Sequence, residues 1–318
     1  MAKIKVGISA CLLGHNVRFN GSNCHKKWLS KTLAQYFSYQ VVCPEVAAGF
    51  GVPRPVMCLV QDEHNAERHL ILRDEQHSDV STQLAQASQK ILQTCAELSG
   101  FIVKRGSPSC GAGSTKLYNA KLNVLRHNAD GEFVRRLKMR FPHLPIEDEG
   151  RLNDVTIREH FIKLVYLYHA AQRMLTEVNS LSALEDFHMQ HKFILRLHHG
   201  ANQKYLGRLL AAPPAEFDLS ALKQHYFNCF AQSFAKPVKP SQHYALLQRA
   251  FRSINCHLDS ADRADIQTNL RAYLQQLVPL AVPMALLRHY SRHYRIGFLQ
   301  QQSYLYPYPD ELALMRSV

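Results

Sequence analysis

The 318-residue sequence has no apolar run long enough to cross a bilayer, so no membrane span is expected. Its opening, MAKIKVGIS, has no signal-peptide anatomy and leads directly into a strand-like segment. The eight cysteines are not clustered, which argues against a secreted disulfide framework and fits a reducing, cytoplasmic setting. No G-x-G-x-x-G follows the first strand candidate, so a dinucleotide cofactor has no support. There is no H-E-x-x-H either. His188-Met189-Gln190-His191 has the histidines but not the glutamate, and reads as interhelical hydrogen bonding or phosphate contact. Internal repeats, low-complexity tracts and polybasic runs are absent. What remains is a chain with 46% hydrophobic residues, long enough for two domains of ordinary size.

The charge is lopsided. The formal net charge is +13, with 19 Lys and Arg against 13 acids in residues 1–150 and 19 against 12 in residues 151–318. A basic balance in both halves favours a polyanionic partner such as RNA, although scattered cations are usually solvated surface. The local concentrations are Arg18 with Lys26 and Lys27, Lys104 with Arg105, and Arg135, Arg136, Lys138 and Arg140.

The first half reads as α/β. Strands are predicted at 3–9, 39–43 and 100–104, with shorter ones at 56–60 and 69–73. Helices are predicted at 26–36 and 79–98, the second capped by Ser78. Alternation of strand and helix implies a Rossmann-like parallel sheet. The second half reads as all-α. Capping-box patterns at Thr156/Glu159 and Ser182/Glu185 open the first two helices. Further helices are expected near 200–211, 219–234, 241–255, 262–278 and 283–294. Breaks are expected at Ala211–Pro214 and Lys236–Pro240. The boundary falls in the loop at 150–154, giving domains 1–152 and 153–318.

Three cysteines stand where strand-like runs end. Cys11 closes KVGISAC, Cys43 closes YQVVC, and Cys110 ends FIVKRGSPSC. In an open α/β sheet, ligands collect beyond the carboxyl ends of the strands. Three soft thiolates brought together there suit a metal or an iron–sulfur cluster with one position left open. The competing account is that free cysteine is a small buried hydrophobe. Cys58, Cys95, Cys229 and Cys256 are read that way, and Cys24 as a candidate exposed thiol. Glu45, two residues after Cys43, is either a surface cap or a proton-exchanging carboxylate. Ser107 and Ser109 either satisfy a tight turn or position substrate.

CLLG at 11–14, VRFNG at 17–21, CPEVAAGFGVPRP at 43–55, SPSCG at 107–111 and LPIEDEGRLND at 144–154 resemble the signature blocks of the thiouracil desulfidase family. FHMQHKFILRLHH at 187–199 and QQSYLYPYPDELAL at 301–314 resemble the helical domain fused to some of its members, the tRNA 4-thiouridine desulfidases. The resemblance implies a [4Fe–4S] cluster on Cys11, Cys43 and Cys110. It also implies Glu45 as general acid/base and favours Ser107 as the serine that donates to a pyrimidine carbonyl or positions water, with Ser109 still open. The implied reaction is non-redox removal of sulfur from 4-thiouridine in tRNA. Arg18, Lys26, Lys27, Lys104, Arg105, Arg135 and Arg136 are the residues expected to guide the nucleic acid. The alternatives are a desulfidase of free thiouracil, a cluster-bearing RNA-binding protein without turnover, and a three-cysteine zinc hydrolase. No protein partner is indicated.

Overall fold

The computed structural model describes residues 3–62, 67–73, 76–234, 238–309 and 312. The chain divides into two compact units, one ending at His169 and the next beginning at Ala170. The first is α/β and the second is helical.

The first unit contains two four-stranded sheets. Its strands are β1 Ile4–Ser9, β2 Phe37–Val42, β3 Met57–Gln61, β4 Arg68–Leu72, β5 Phe101–Val103, β6 Thr115–Tyr118, β7 Val124–Ala129 and β8 Ile146–Asp148. One sheet runs β2-β1-β5-β8 and is parallel throughout. β1 and β5 are its central strands. Val6, Ile8, Phe101, Ile102 and Val103 are fully buried, as strands covered on both faces require. The other sheet runs β4-β3-β6-β7 and is mixed, with only β3 and β6 parallel. The sequence reading finds five of the eight strands. It misses β6 and β8, which are very short, and β7, whose residues are exposed but for Ala129 and so show no alternation.

Helix α1 is the single turn Pro44–Ala47, and α2 is Ser81–Gln93. Leu84 of α2 packs with Met57, Leu59, Leu70, Leu117 and Ala129 of the second sheet, forming its core. Ser78 does not cap α2. Asp79 Oδ1 accepts from Ser81 N–H at 2.8 Å, and a carboxylate one residue later takes the role expected of Ser78. The segment 26–36 is not a regular helix. A wide π-type turn at Trp28–Thr32 runs into a 3-10 turn at Leu33–Gln35, with Leu29 and Leu33 buried. Helix α3, Glu132–Arg140, is not among the expected helices: its buried stripe, Phe133, Val134 and Leu137, is only three apolar residues long.

Helix α4, Val155–Glu177, spans the division between the units. Its first half lies on the parallel sheet. A Cβ at Gly100 would stand 2.6 Å from Val165, and the rings of Tyr166 and Phe37 are 6.2 Å apart. Asp154, not the Thr156/Glu159 pair, caps it, with Oδ1 accepting from the amides of Thr156 and Ile157. The helical unit continues with α5 Leu181–Ala211, α6 Leu219–Gln232, α7 Pro240–Ile254, α8 Ser260–Leu274, α9 Ala281–His293 and the short α10 Gly297–Gln300. Ser180 caps α5 through Ala183 N–H at 3.2 Å, which displaces Ser182 from the expected cap to the helix interior. The two helices expected over 187–211 both fall within α5, and the break between them lies where it is expected, at His199, which leaves helical geometry (φ −152°, ψ 80°). Of the predicted break at 236–240, Lys236 and Pro237 lie outside the described residues, as do 310–311 and 313–314 of the tail block. No helix among the described residues is long and apolar enough to cross a membrane.

His188 and His191 are structural in this fold. A 3.0 Å hydrogen bond joins His188 Nδ1 to the Tyr226 hydroxyl, and His191 Nδ1 lies 2.9 Å from the Phe187 carbonyl. Tyr304 is likewise buried, bonded at 3.0 Å to His243, so the tyrosine tail is docked. Burial pushes both His188 and His191 down to about 4. Both are neutral when folded and titrate near 6.5 when unfolded. Their contribution is therefore complete above pH 6.5 and is lost as pH falls towards 4, by up to about 3 kcal/mol each. Urea denaturation followed by the helical signal should show a lower midpoint at pH 5 than at pH 7. A flat profile over this window would remove the role given to these histidines.

Candidate metal centre

The sheet order explains why cysteines distant in sequence meet. β2, β1 and β5 are neighbours and parallel, so their carboxyl ends share one edge. Cys11 sits in the 3-10 turn after β1, Cys43 stands between β2 and α1, and Cys110 lies in the loop after β5. All three thiols line one cavity of about 350 Å³. Glu45, Arg54, Ser107 and Ser109 line it too. Its opposite wall is supplied by the second sheet, through Met57, Cys58 and Leu59 of β3 and Lys116 and Tyr118 of β6.

The Cys110 loop is fastened from two sides. The first amides of α3 reach into it: Glu132 N–H donates to Pro108 O at 3.0 Å and Phe133 N–H to Ser109 O at 3.0 Å. Thr115, at the start of β6, donates its hydroxyl to Ser107 O at 2.8 Å. Close approach makes two glycines necessary. A Cβ at Gly131 would lie 2.5 Å from Ser109 O, and one at Gly111 would lie 2.1 Å from Thr115 Oγ1. No flexible side-chain end could yield at Gly131, because the obstacle is backbone.

Burial pushes the Cys11 thiol up to about 12, with neighbouring Cys24 and Cys43 adding to the rise. Burial also raises Cys43 and, most of all, Cys110, where the Glu45 carboxylate and Cys43 add to it. Metal binding requires thiolates, so a cation in the cavity would reverse this preference. Among the described residues, no group of three or more His, Cys, Asp or Glu side chains is gathered closely enough to hold one metal ion. A lone zinc would need its sulfurs all about 2.3 Å from one point. A polynuclear cluster needs each thiolate on a different metal atom, so thiols spread round a roomy cavity suit it better.

Glu45 is placed by a buried arginine that the sequence reading did not single out. Arg54 Nε donates to Glu45 Oε2 at 3.0 Å, and Nη2 pairs with the same oxygen. The guanidinium also donates to Gly51 O at 2.8 Å and Val17 O at 2.9 Å, and its side chain is only 2% exposed. The signal was Arg54 between Pro53 and Pro55, inside a block already tied to the cysteines. The other carboxylate oxygen, Oε1, accepts from Ser109 Oγ at 2.5 Å and from Ser107 Oγ at 3.4 Å. Ser107 Oγ also accepts from Cys110 N–H at 3.1 Å, which makes it a turn-former as well. Ser109 is fully buried and has the closer contact with the acid, although Ser107 was the serine favoured from sequence.

The expected cations divide. Arg18, Lys104 and Arg105 line the cavity. Lys104 pairs with Glu149 at 2.6 Å, and Glu149 also accepts from Arg105 N–H at 2.6 Å. Lys26 and Lys27 lie just before the turn at 28–32 and do not line the cavity. Arg135 and Arg136 of α3 are both tied to the buried Glu132, at 2.8 and 2.7 Å. Of the remaining cysteines, Cys95 is buried as expected. Cys58 is buried but faces the cavity. Cys229, in α6, is half-buried and Cys256, in the turn after α7, is exposed, so these last two are not core residues.

The class defined by these features is an α/β protein with a thiol-lined cavity at the carboxyl edge of a parallel sheet. Residues 6–149 match the family model described as 2-thiouracil desulfurase, and residues 192–309 match one described as a protein of unknown function, DUF1722. The first half of the chain thus carries a region that matches the 2-thiouracil desulfurase family, followed by one that matches DUF1722. The chain is similar to the uncharacterized protein YbbK of Bacillus subtilis, 27% identical over 46% of this chain and 97% of that one. It is also similar to the uncharacterized protein YbgA of Escherichia coli, 22% identical over 48% of this chain and 90% of that one. Among solved structures it is similar to the [4Fe-4S]-dependent thiouracil desulfidase TudS. That match is 28% identical, covers 49% of this chain and 98% of that one, and has a TM-score of 0.39.

Proposed function

We propose that this protein is a non-redox desulfidase that acts on 4-thiouridine in tRNA. One water replaces the ring sulfur by oxygen, and sulfide leaves with the protons. The observation that carries this reading is the convergence of Cys11, Cys43, Cys110 and Glu45 on one cavity. The donor set fits a [4Fe–4S] cluster held by three thiolates, and when bound it would offer a soft iron site to a thiocarbonyl sulfur. The chain's own residues handle the protons. Arg54 occupies Glu45 Oε2, which leaves Oε1 to take a proton from water or return one to the ring nitrogen. Ser109 holds Oε1 in place through its hydroxyl. Support for RNA rather than a free base comes from the net charge of +13, shared by both halves.

A second reading, desulfuration of a free thiobase, is favoured by one observation: the whole cavity is built within the first unit. Anaerobically reconstituted protein should convert 4-thiouridine in bulk tRNA to uridine with one sulfide per base. It should do so at a higher kcat/KM than for free 4-thiouracil. Turnover of the free base alone would install the second reading. Iron without sulfide release from either substrate would leave a binding protein, and zinc in place of iron would point to a hydrolase.

A further inference from the structure

Helix α5 has an unusual distribution of charge. From Phe187 to Ala215 it and the following turn contain no Asp or Glu. Over residues 187–258 there are nine Lys and Arg against two acids, Glu216 and Asp218. α6 and α7 both pack on α5, and neither contains an acid. Solvated helices ordinarily place opposite charges at i and i+4. Here Lys192 and Arg196 precede the break at His199, and Lys204 and Arg208 follow it, each pair four residues apart with no acid between.

A cleft lies at the kink at His199. His199 leaves helical geometry, and its Nδ1 accepts from Asn202 N–H at 3.1 Å. Arg196, Gly200, Ala201, Lys204 and Arg208 line the resulting hollow, about 450 Å³ in volume. Arg196, Lys204 and Arg208 are exposed, and none takes part in an ion pair among the described residues. Gly200 contributes no side chain to the floor, and a Cβ there would meet nothing within 4 Å. On the helical stretch after the kink, residues four apart, Gly200, Lys204 and Arg208, are separated by about 6 Å along the axis.

We propose that this cleft binds the phosphate backbone of RNA, with Arg196, Lys204 and Arg208 as the contacting residues. The proposal rests on the RNA reading above for its choice of polyanion. Three unpaired cations gathered in a concavity repel one another, and a strand carrying evenly spaced negative charge relieves that repulsion. Guanidinium groups offer paired donors to phosphate oxygens, and the lysine between them acts as a point charge. No carboxylate is among the residues that line the cleft.

The test measures tRNA affinity of the full-length protein against salt concentration, for wild type and for Arg196→Gln/Lys204→Gln/Arg208→Gln. Each lost phosphate contact should lower the slope of log K against log salt by about 0.7–0.9, so the triple variant should lose about 2–3. Turnover of free 4-thiouracil should not change, because the cleft shares no residue with the thiol cavity and belongs to the other unit. The single variant Lys204→Gln, with a slope lower by about 1, keeps the test informative should the triple variant unfold. An unchanged slope would overturn the proposal. So would a wild-type protein that does not bind tRNA, or a triple variant that loses only binding to anionic lipid vesicles. Wild-type tRNA binding without desulfuration, coupled to the same slope change, would retain the cleft while removing the enzymatic reading.

Discussion

Replacing Cys11, Cys43 or Cys110 by alanine should each abolish the iron–sulfur absorbance of reconstituted protein and reduce desulfuration to background. The three cysteines follow neighbouring strands and line one cavity. Cys58 is the informative control. It lines the same cavity but comes from the second sheet, so Cys58→Ala should keep its full iron content. Cys95→Ala should do so as well, since its thiol donates to the Ile91 carbonyl in the core. Iron and sulfide assays on the five variants decide the ligand set. Iron retained in Cys110→Ala and lost in Cys58→Ala would assign the ligands differently.

The second large effect belongs to Glu45. Glu45→Gln should keep its iron and lose roughly 10²-fold or more in turnover, the usual scale for a positioned general acid/base. It should also be less stable, because Arg54 would remain buried with its charge uncompensated. Breaking a buried pair from one side costs about 3–5 kcal/mol. The double variant Glu45→Gln/Arg54→Met removes both charges and should recover much of that stability without recovering turnover. Denaturation midpoints and single-turnover rates on the wild type, both single variants and the double variant separate the two roles. If the double variant regained activity along with stability, Glu45 would be a structural anion and not a proton carrier. Ser109→Ala should slow turnover more than Ser107→Ala, because Ser109 makes the shorter bond to Oε1.

Much of this architecture was legible in sequence wherever burial imposes a period. KVGIS and FIV are continuous apolar runs because β1 and β5 are covered on both faces. The helices of the second unit follow their stripes to within a few residues. Caps were read less well, since Ser78, Thr156 and Ser182 each have an Asp or Ser one or two residues away that wins the amide. The second sheet was half visible. β3 and β4 have apolar runs, but β6 is four residues long and β7 exposes nearly its whole length. Without it the far wall of the cavity could not be foreseen. The three cysteines and Glu45 could be proposed because each follows a strand. Arg54 could not, because its partners at positions 17, 45 and 51 are joined only by the folded chain.

Those bonds from Arg54 have a consequence for the encounter with substrate. One side chain holds the carbonyl of Val17, the carbonyl of Gly51 and the carboxylate of Glu45, while its own amide donates to Phe19 O. The loop bearing Arg18 and Phe19 is thereby ordered by a residue far along the chain. Its conformational entropy is surrendered during folding, before any ligand arrives. Binding then need not freeze this loop, and on the RNA reading proposed above more of the contact energy is left for drawing a stacked base out of its helix.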